Sequence, residues 1–178
     1  MNRRKFLAIS AGVSFTAGLP EASAEHYEPI PIIDTHIHLF DTNRSQGVPW
    51  PDKKDKILYQ PALPARYRSI AQRLGIVGAI VVEASPWLDD NQWVIDVAAQ
   101  DKIIVGVIGN LEPGSPDFGK QLARFQSSSL FRGIRYGNLW GRDISVQLEN
   151  PRFISDLRSL AKDGLVLDTA NPNPALLA

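Results

Sequence analysis

Runs of apolar, often β-branched residues alternate with amphipathic stretches along most of the chain. The apolar runs predict strands over 30–35, 76–83, 103–109, 133–136 and 165–168. In the second run, every position from Ile76 to Val82 is apolar, rather than every other one. This pattern is typical of a strand that is buried on both faces of a parallel sheet.

The amphipathic stretches predict helices over 62–74, 89–100, 116–126 and 151–162. The last has clear ends, because Asn150 is a capping residue, Pro151 suits the first helical position and Gly164 lies just past the end. Ser115-Pro116 repeats the cap-and-proline signal before the third helix. The apolar stripe of the last helix consists of Phe153, Leu157, Leu160 and Ala161.

The alternation of strands and helices predicts a single α/β domain with a parallel sheet. Composition agrees, since 44% of the residues are apolar and 21% are charged, which excludes a disordered chain. The 19 basic residues balance the 19 acidic ones, which argues against a nucleic-acid partner. No cysteine is present, so thiolate metal sites and cysteine nucleophiles are excluded.

Residues 1–24 predict an export signal of the twin-arginine type. Arg3 and Arg4 precede the mildly apolar run 6–19, and Ala22-Ser23-Ala24 offers a small-residue cleavage site. We expect a periplasmic or secreted protein whose domain spans 25–178. The apolar run is too short to cross a bilayer, so no stable membrane insertion is expected after cleavage. The alternative is that this segment forms the first helix of the mature fold.

The first predicted strand leads into His36 and His38, two of the three histidines in the chain. Side chains alternate across a strand, so both imidazoles project from the same face near its carboxyl end. Two imidazoles on one face can bind a divalent metal ion. The alternative is a pair of histidines that make ordinary hydrogen bonds.

The strand with its DTHIHLF continuation at 34–40 resembles the metal-dependent amidohydrolase superfamily, in particular its amidohydrolase-2 branch with the sugar-lactonase and pyrone-dicarboxylate hydrolase types. Further similar stretches are VVEASPWLDDNQWVIDVA at 81–98, GVIGNLEP at 106–113, FRGIRYGN at 131–138 and the segment 150–178. The resemblance implies a TIM (β/α)₈ barrel whose site lies at the carboxyl ends of its strands. It also implies hydrolysis of a lactone or related cyclic ester or amide by an activated water.

The resemblance assigns His36 and His38 to the metal, with zinc as the expected ion. It assigns Glu83, Arg135 and Asp168 to a small-molecule substrate, a lactone or a carboxylated cyclic compound. Glu83 is otherwise a solvated carboxylate at a strand end, and Arg135 is otherwise an ion-pair partner of Glu83 or Asp168. The weaker candidates Asn110 and Glu112 follow the third strand. The tryptophans are expected to serve mainly in packing, and the alternative for Trp50, Trp87 and Trp140, which follow strand ends, is stacking on a carbohydrate.

Only the first five of the eight βα units of such a barrel are predicted, so the fold is expected to be an incomplete TIM barrel. No histidine follows His38 and no acidic residue follows Asp168, so no catalytic residue is assigned. Three interpretations stay open. The chain is a hydrolase that needs a second chain for the remaining units, an inactive truncated relative, or a non-enzymatic periplasmic binding module.

Overall fold

Five parallel strands form one sheet in the order in which they follow one another along the chain. The computed structural model describes residues 30–171. The strands are β1 (Ile32–Ile37), β2 (Ile76–Val82), β3 (Ile104–Asn110), β4 (Phe131–Arg135) and β5 (Val166–Asp168). This sequential parallel order, with a helix in each connection, is the arrangement of the first five units of a (β/α)₈ barrel. The predicted export signal at 1–24 lies outside the described residues.

Five α-helices connect these strands within residues 30–171: α1 (Pro64–Ala71), α2 (Leu88–Ala99), α3 (Phe118–Gln126), α4 (Ile144–Gln147) and α5 (Pro151–Lys162). The caps of α5 are confirmed, because the Asn150 side chain accepts a hydrogen bond from the Arg152 N–H and Gly164 has a left-handed φ of 69°. The cap predicted at Ser115 is wrong. The helix begins two residues after Pro116, and Asp117 precedes it without a side-chain cap. The short α4 was not predicted.

One face of the sheet is covered by helices and forms the core. Ala79, Val81, Val107 and Ile134 are almost completely buried there, together with Leu122 and Phe125 of α3. From α5, Phe153 and Leu160 are buried, whereas Ala161 is exposed, so the apolar stripe of that helix is narrower than predicted. Burial of this kind stabilises the fold by about 25 cal/mol per Å² of apolar area.

Two glycines allow close approaches that this sheet requires. A methyl group on Gly133 would overlap the backbone of Val166, so β5 pairs closely with β4 only because residue 133 has no side chain. At Gly109 a methyl group would lie 2.6 Å from Asn91 Oδ1. Asn91 uses this space to bond the end of β3, where its Oδ1 accepts from the Asn110 N–H at 2.7 Å.

Both edges of the described sheet carry exposed apolar residues, as expected for a barrel wall that is not closed by these five strands. Ile32 and Ile33 on β1 are 49% and 42% exposed, and Val166 on β5 is 52% exposed. An open apolar edge favours pairing with a further strand. No helix within residues 30–171 has the length and apolar character needed to cross a membrane.

Candidate active site

His36 of β1 and His38, which directly follows the strand, reach the inner face of the sheet because the strand contains an irregularity. Asp34 pairs with Ala79 and Ile37 pairs with Val81, so three steps along β1 match two steps along β2. Asp34 therefore lies on the helix side, where its Oδ2 accepts a hydrogen bond from the Tyr67 hydroxyl at 2.9 Å. The imidazole rings of His36 and His38 lie close together, with centroids 5.0 Å apart. Strict alternation would have placed Asp34 on their face.

His38 is held in one tautomer by the backbone of β2. Its Nδ1 lies 2.9 Å from the Val82 carbonyl oxygen, which can only accept, so Nδ1 donates and Nε2 is left with its lone pair. Burial lowers the pKa of His38, and the nearby His36 and Arg135 add to this effect. A neutral imidazole with an available Nε2 can bind a metal ion or accept a proton.

Arg135 joins three strands in one polar network. Its Nε and Nη2 donate to Asp168 Oδ2 of β5 at 3.1 and 2.8 Å, and Nη2 lies 3.1 Å from His36 Nε2 of β1. Arg135 is only 8% exposed, which makes this a largely desolvated ion pair. Of the two ion-pair partners predicted for Arg135, Asp168 is the one in contact. The fold thus brings together three of the predicted site residues.

Glu83 comes directly after β2 and is buried, so its interpretation as a solvated strand-end carboxylate is wrong. Its Oε2 accepts from the Ser85 N–H at 2.9 Å, and both carboxylate oxygens lie 3.2 Å from Nε1 of Trp140. Burial raises the pKa of Glu83, while these N–H donors and the charges of Arg135 and Arg142 act in the opposite direction.

Trp140 and Trp50 line the same cavity as the predicted residues, although the tryptophans were expected mainly in packing. The cavity has a volume of ≈ 370 Å³ and is lined by His38, Trp50, Glu83, Ala84, Arg135, Leu139 and Trp140. Trp140 has a φ of 58°, a left-handed conformation that costs a bulky residue on the order of 1 kcal/mol. Trp50 packs edge-on against the His38 ring, with centroids 5.4 Å apart. Their positions after strand ends were the sequence signal for such a role.

The two weaker candidates lie outside this cavity. Asn110 is 2% exposed and donates from Nδ2 to the Ser85 carbonyl at 3.0 Å, which ties the ends of β2 and β3 together. Glu112 pairs with Arg142 at 2.7 Å and accepts from the Tyr136 hydroxyl at 3.1 Å. Both residues line a separate cavity of ≈ 220 Å³ beside α3. Their contacts support the loops around the site.

The imidazoles of His36 and His38, at the end of β1, fit a divalent metal ion in chemical type but are few in number. Catalytic zinc sites usually have three protein ligands, and His36 and His38 supply two. Within residues 30–171, no group of three or more His, Cys, Asp or Glu side chains is arranged to hold a metal ion. The backbone carbonyl that fixes His38 is a typical supporting contact of a metal-binding histidine. Among the described residues, the candidate protein ligands are therefore His36 and His38.

Comparison with known proteins gives one matching family model, described as Amidohydrolase, which covers residues 33–152. An L-fucono-1,5-lactonase from Burkholderia ambifaria is 27% identical over 103 residues, which are 58% of this chain and 35% of that protein. The chain thus spans about a third of the length of this curated relative.

Solved amidohydrolase structures share the fold of this chain. A Burkholderia multivorans amidohydrolase with bound HEPES matches with a TM-score of 0.68 at 20% identity, over 78% of this chain and 47% of that one. A zinc-bound structure of a Burkholderia multivorans amidohydrolase matches with a TM-score of 0.67 at 20% identity, over 78% of this chain and 48% of that one. A probable 2-pyrone-4,6-dicarboxylic acid hydrolase from Acinetobacter baumannii gives 0.59 at 17% identity, over 79% of this chain and 49% of that one. The described strands therefore form a curled half-barrel that corresponds to part of the TIM barrel of these neighbours.

Proposed function

This chain belongs to the amidohydrolase family, and from that premise we propose that it hydrolyses a lactone or a related cyclic ester or amide. Attack of an activated water on the ring carbonyl would open the ring. The observation that carries the proposal is the meeting of His38, Glu83 and Arg135 in one cavity at the carboxyl ends of the strands. Enzymes with this architecture place their active sites at that end.

Each residue of the cavity has a role that suits its contacts. Arg135, fixed by Asp168, presents a guanidinium to a carbonyl, carboxylate or hydroxyl oxygen of the substrate. Glu83 accepts hydrogen bonds from substrate hydroxyls. His38, neutral and with Nε2 available, is suited to bind a metal ion through that nitrogen. These roles make Arg135, Asp168 and Glu83 the substrate-binding group.

We propose that a divalent metal ion, zinc in the first instance, binds through His36 and His38. When bound, such an ion supplies Lewis-acid activation of water and of the carbonyl group. His36 Nε2 now lies 3.1 Å from Arg135 Nη2, so metal binding competes with that contact. The zinc in one neighbour structure makes this ion a suitable first choice.

We propose that full activity needs barrel strands in addition to the five described here. The open edges at β1 and β5 can pair with further strands. The two histidines leave room for a further metal ligand, which such strands could supply. A second chain is one source of these strands, and without them we expect little or no turnover. Export to the periplasm through the predicted signal at 1–24 completes the proposal.

Proton release from a panel of sugar lactones and carboxylated lactones tests this function. The protein is purified from its own cells through a tag on this chain, so that any further chain is recovered with it and identified by mass spectrometry. We expect lactone hydrolysis that a chelator abolishes and zinc restores. Ligand binding without any turnover would contradict the hydrolase proposal and favour a binding module.

A further inference from the structure

The positive charge in the cavity is already neutralised by the protein. Among the described residues that line it, Arg135 is the only cation, and its Nη2 lies 2.8 Å from Asp168. Two further arginines in the loops after the strands are paired as well, Arg142 with Glu112 and Arg44 with Asp90, each at 2.7 Å. A ring with carboxylate groups would therefore find no unpaired cation among the described residues that line this cavity.

Glu83 contributes a negative charge to the cavity when it is ionised and no charge when it is protonated. No cation is in hydrogen-bond contact with it among the described residues. Its carboxylate oxygens are bonded by two neutral donors, the Ser85 N–H and the Trp140 indole N–H. Such a carboxylate accepts readily from hydroxyl groups and repels another carboxylate, and the low local dielectric strengthens both effects.

Two indole rings provide the apolar walls of the cavity. Trp50 and Trp140 are each 37% exposed although both line it, so part of each ring is available to a ligand. Trp140 also holds the left-handed φ of 58°, and a strained backbone of this kind is found mainly at functional sites. An aromatic face packs well on the C–H surface of a compact ring.

We infer that this cavity selects an uncharged, hydroxylated ring over a carboxylated ring, with Trp140 and Glu83 as the specificity-determining pair and Trp50 as the opposing wall. The inference rests on the proposed function, since it names the substrate class of the same site. The ring face of Trp140 would pack on the ligand, and its N–H donates to the Glu83 carboxylate and so fixes its position. Glu83 would accept hydrogen bonds from the hydroxyl groups of the ligand.

Two unreactive probes test the selection without requiring turnover. Gluconolactam is a neutral, hydroxylated ring, and benzene-1,3-dicarboxylate is a flat, carboxylated ring that has no chelating ring nitrogen. Binding of each to the full chain, freed of metal ions with a chelator, is measured by quenching of tryptophan fluorescence and by calorimetry. We expect gluconolactam to bind at least about tenfold more tightly, which corresponds to about 1.4 kcal/mol.

Variants then assign the selection to the named residues. Glu83→Gln removes the negative charge, so we expect the preference to narrow by about tenfold through stronger binding of the dicarboxylate. Trp140→Phe keeps an aromatic ring but loses the N–H, so we expect gluconolactam binding to weaken about five- to tenfold. Trp87→Phe is the matched control, because Trp87 also follows a strand end and is 39% exposed but does not line the cavity. The Trp87→Phe variant should show the same ratio of gluconolactam affinity to dicarboxylate affinity as the wild type.

The outcomes separate this inference from the proposed function. Equal binding of the two probes, tighter binding of the dicarboxylate, or binding of neither overturns the inference. An unchanged preference in both Glu83→Gln and Trp140→Phe also overturns it, even when lactones are hydrolysed. Selective gluconolactam binding without any lactone turnover supports the inference while the hydrolase proposal fails. Because each readout is a ratio of two probes, a partly unfolded variant lowers both affinities and cannot imitate a change in selectivity.

Discussion

The two faces of the sheet differ in how far they are completed by the described residues. On the helix side, Ala79, Val81, Val107 and Ile134 are at most 1% exposed, and helices from the same chain cover them. On the inner side, charged and aromatic side chains meet at the strand ends, around a cavity of ≈ 370 Å³. The helix side is a close-packed apolar core, whereas the inner side presents polar and aromatic side chains to a cavity that can take up a ligand.

This difference indicates which residues serve stability and which serve function. Substitutions on the helix side are expected to act on folding, because close-packed apolar residues leave cavities when they are truncated. Substitutions at the inner strand ends are expected to act mainly on binding and turnover. The exceptions are the buried polar contacts that hold the inner groups in place, and three of the predictions below concern such contacts.

Ile134→Ala is expected to have the largest effect on folding. Ile134 has no exposed surface and lies between α-helices and the sheet, so truncation should cost about 4 kcal/mol of unfolding free energy. Urea unfolding followed by circular dichroism measures the loss. Val166→Ala is the control, since Val166 is 52% exposed, and it should cost less than about 1 kcal/mol. Similar losses in the two variants would remove the distinction between the core and the sheet edge.

Arg135→Gln is expected to destabilise the fold by about 2–3 kcal/mol, because it leaves Asp168 without its charged partner in a largely buried position. The matched control is Arg124→Gln. Arg124 pairs with the exposed Asp89 at 3.6 Å, so its loss should cost less than about 0.5 kcal/mol. A cost for Arg135→Gln no larger than that of the control would show that the inner network has no structural role.

Asn91→Ala is expected to cost about 1–2 kcal/mol by removing the hydrogen bonds between α2 and the end of β3. The Asn91 side chain bonds both the N–H and the carbonyl of Asn110, at 2.7 and 2.8 Å. Hydrogen exchange at the end of β3 locates the change. Faster exchange confined to Asn110 and its neighbours agrees with this role, whereas an effect on α3 alone contradicts it.

The smallest expected effect is a pH dependence of the unfolding free energy, and the sign of that dependence is the test. Burial raises the pKa of Glu83, so the folded state retains the proton at pH values where the unfolded chain has released it. The stability of the wild type relative to Glu83→Gln should therefore be greatest below the unfolded pKa of about 4.3 and should fall as the pH rises through the folded pKa. Unfolding of both proteins from about pH 4 to 8 gives the slope. A relative stability that rises with pH contradicts the assignment.

The sequence predicted the regular parts of the fold because local signals and burial agree there. Asn150, Pro151 and Gly164 mark the ends of α5, and the fully apolar run from Ile76 marks β2. The same rules placed the first strand two residues too early, since Ile30 and Pro31 are apolar but exposed. The cap signal at Ser115 failed because the chain makes a turn there before α3 begins, in which the Phe118 N–H donates to the Ser115 carbonyl at 3.3 Å.

The positions of the candidate site residues were predictable as far as strand ends determine them. His36, His38, Glu83, Arg135 and Asp168 all lie at the carboxyl ends of strands, where parallel topology brings side chains together. Two features could not be read from sequence spacing. The irregularity in β1 depends on its pairing with β2. The contact between Trp140 and Glu83 joins residues that are 57 positions apart in the sequence, and it depends on the conformation of the loop after β4.

The double variant His36→Asn/His38→Asn tests most directly whether the inner strand ends are the functional part of the molecule. Lactone hydrolysis and the midpoint of thermal unfolding are measured on the protein as recovered from its own cells. We predict a loss of hydrolysis of at least about 100-fold, with a midpoint within about 2 °C of the wild type. Unchanged hydrolysis in the double variant, or a loss explained by unfolding of the sheet, would contradict the division between a stabilising face and a functional one.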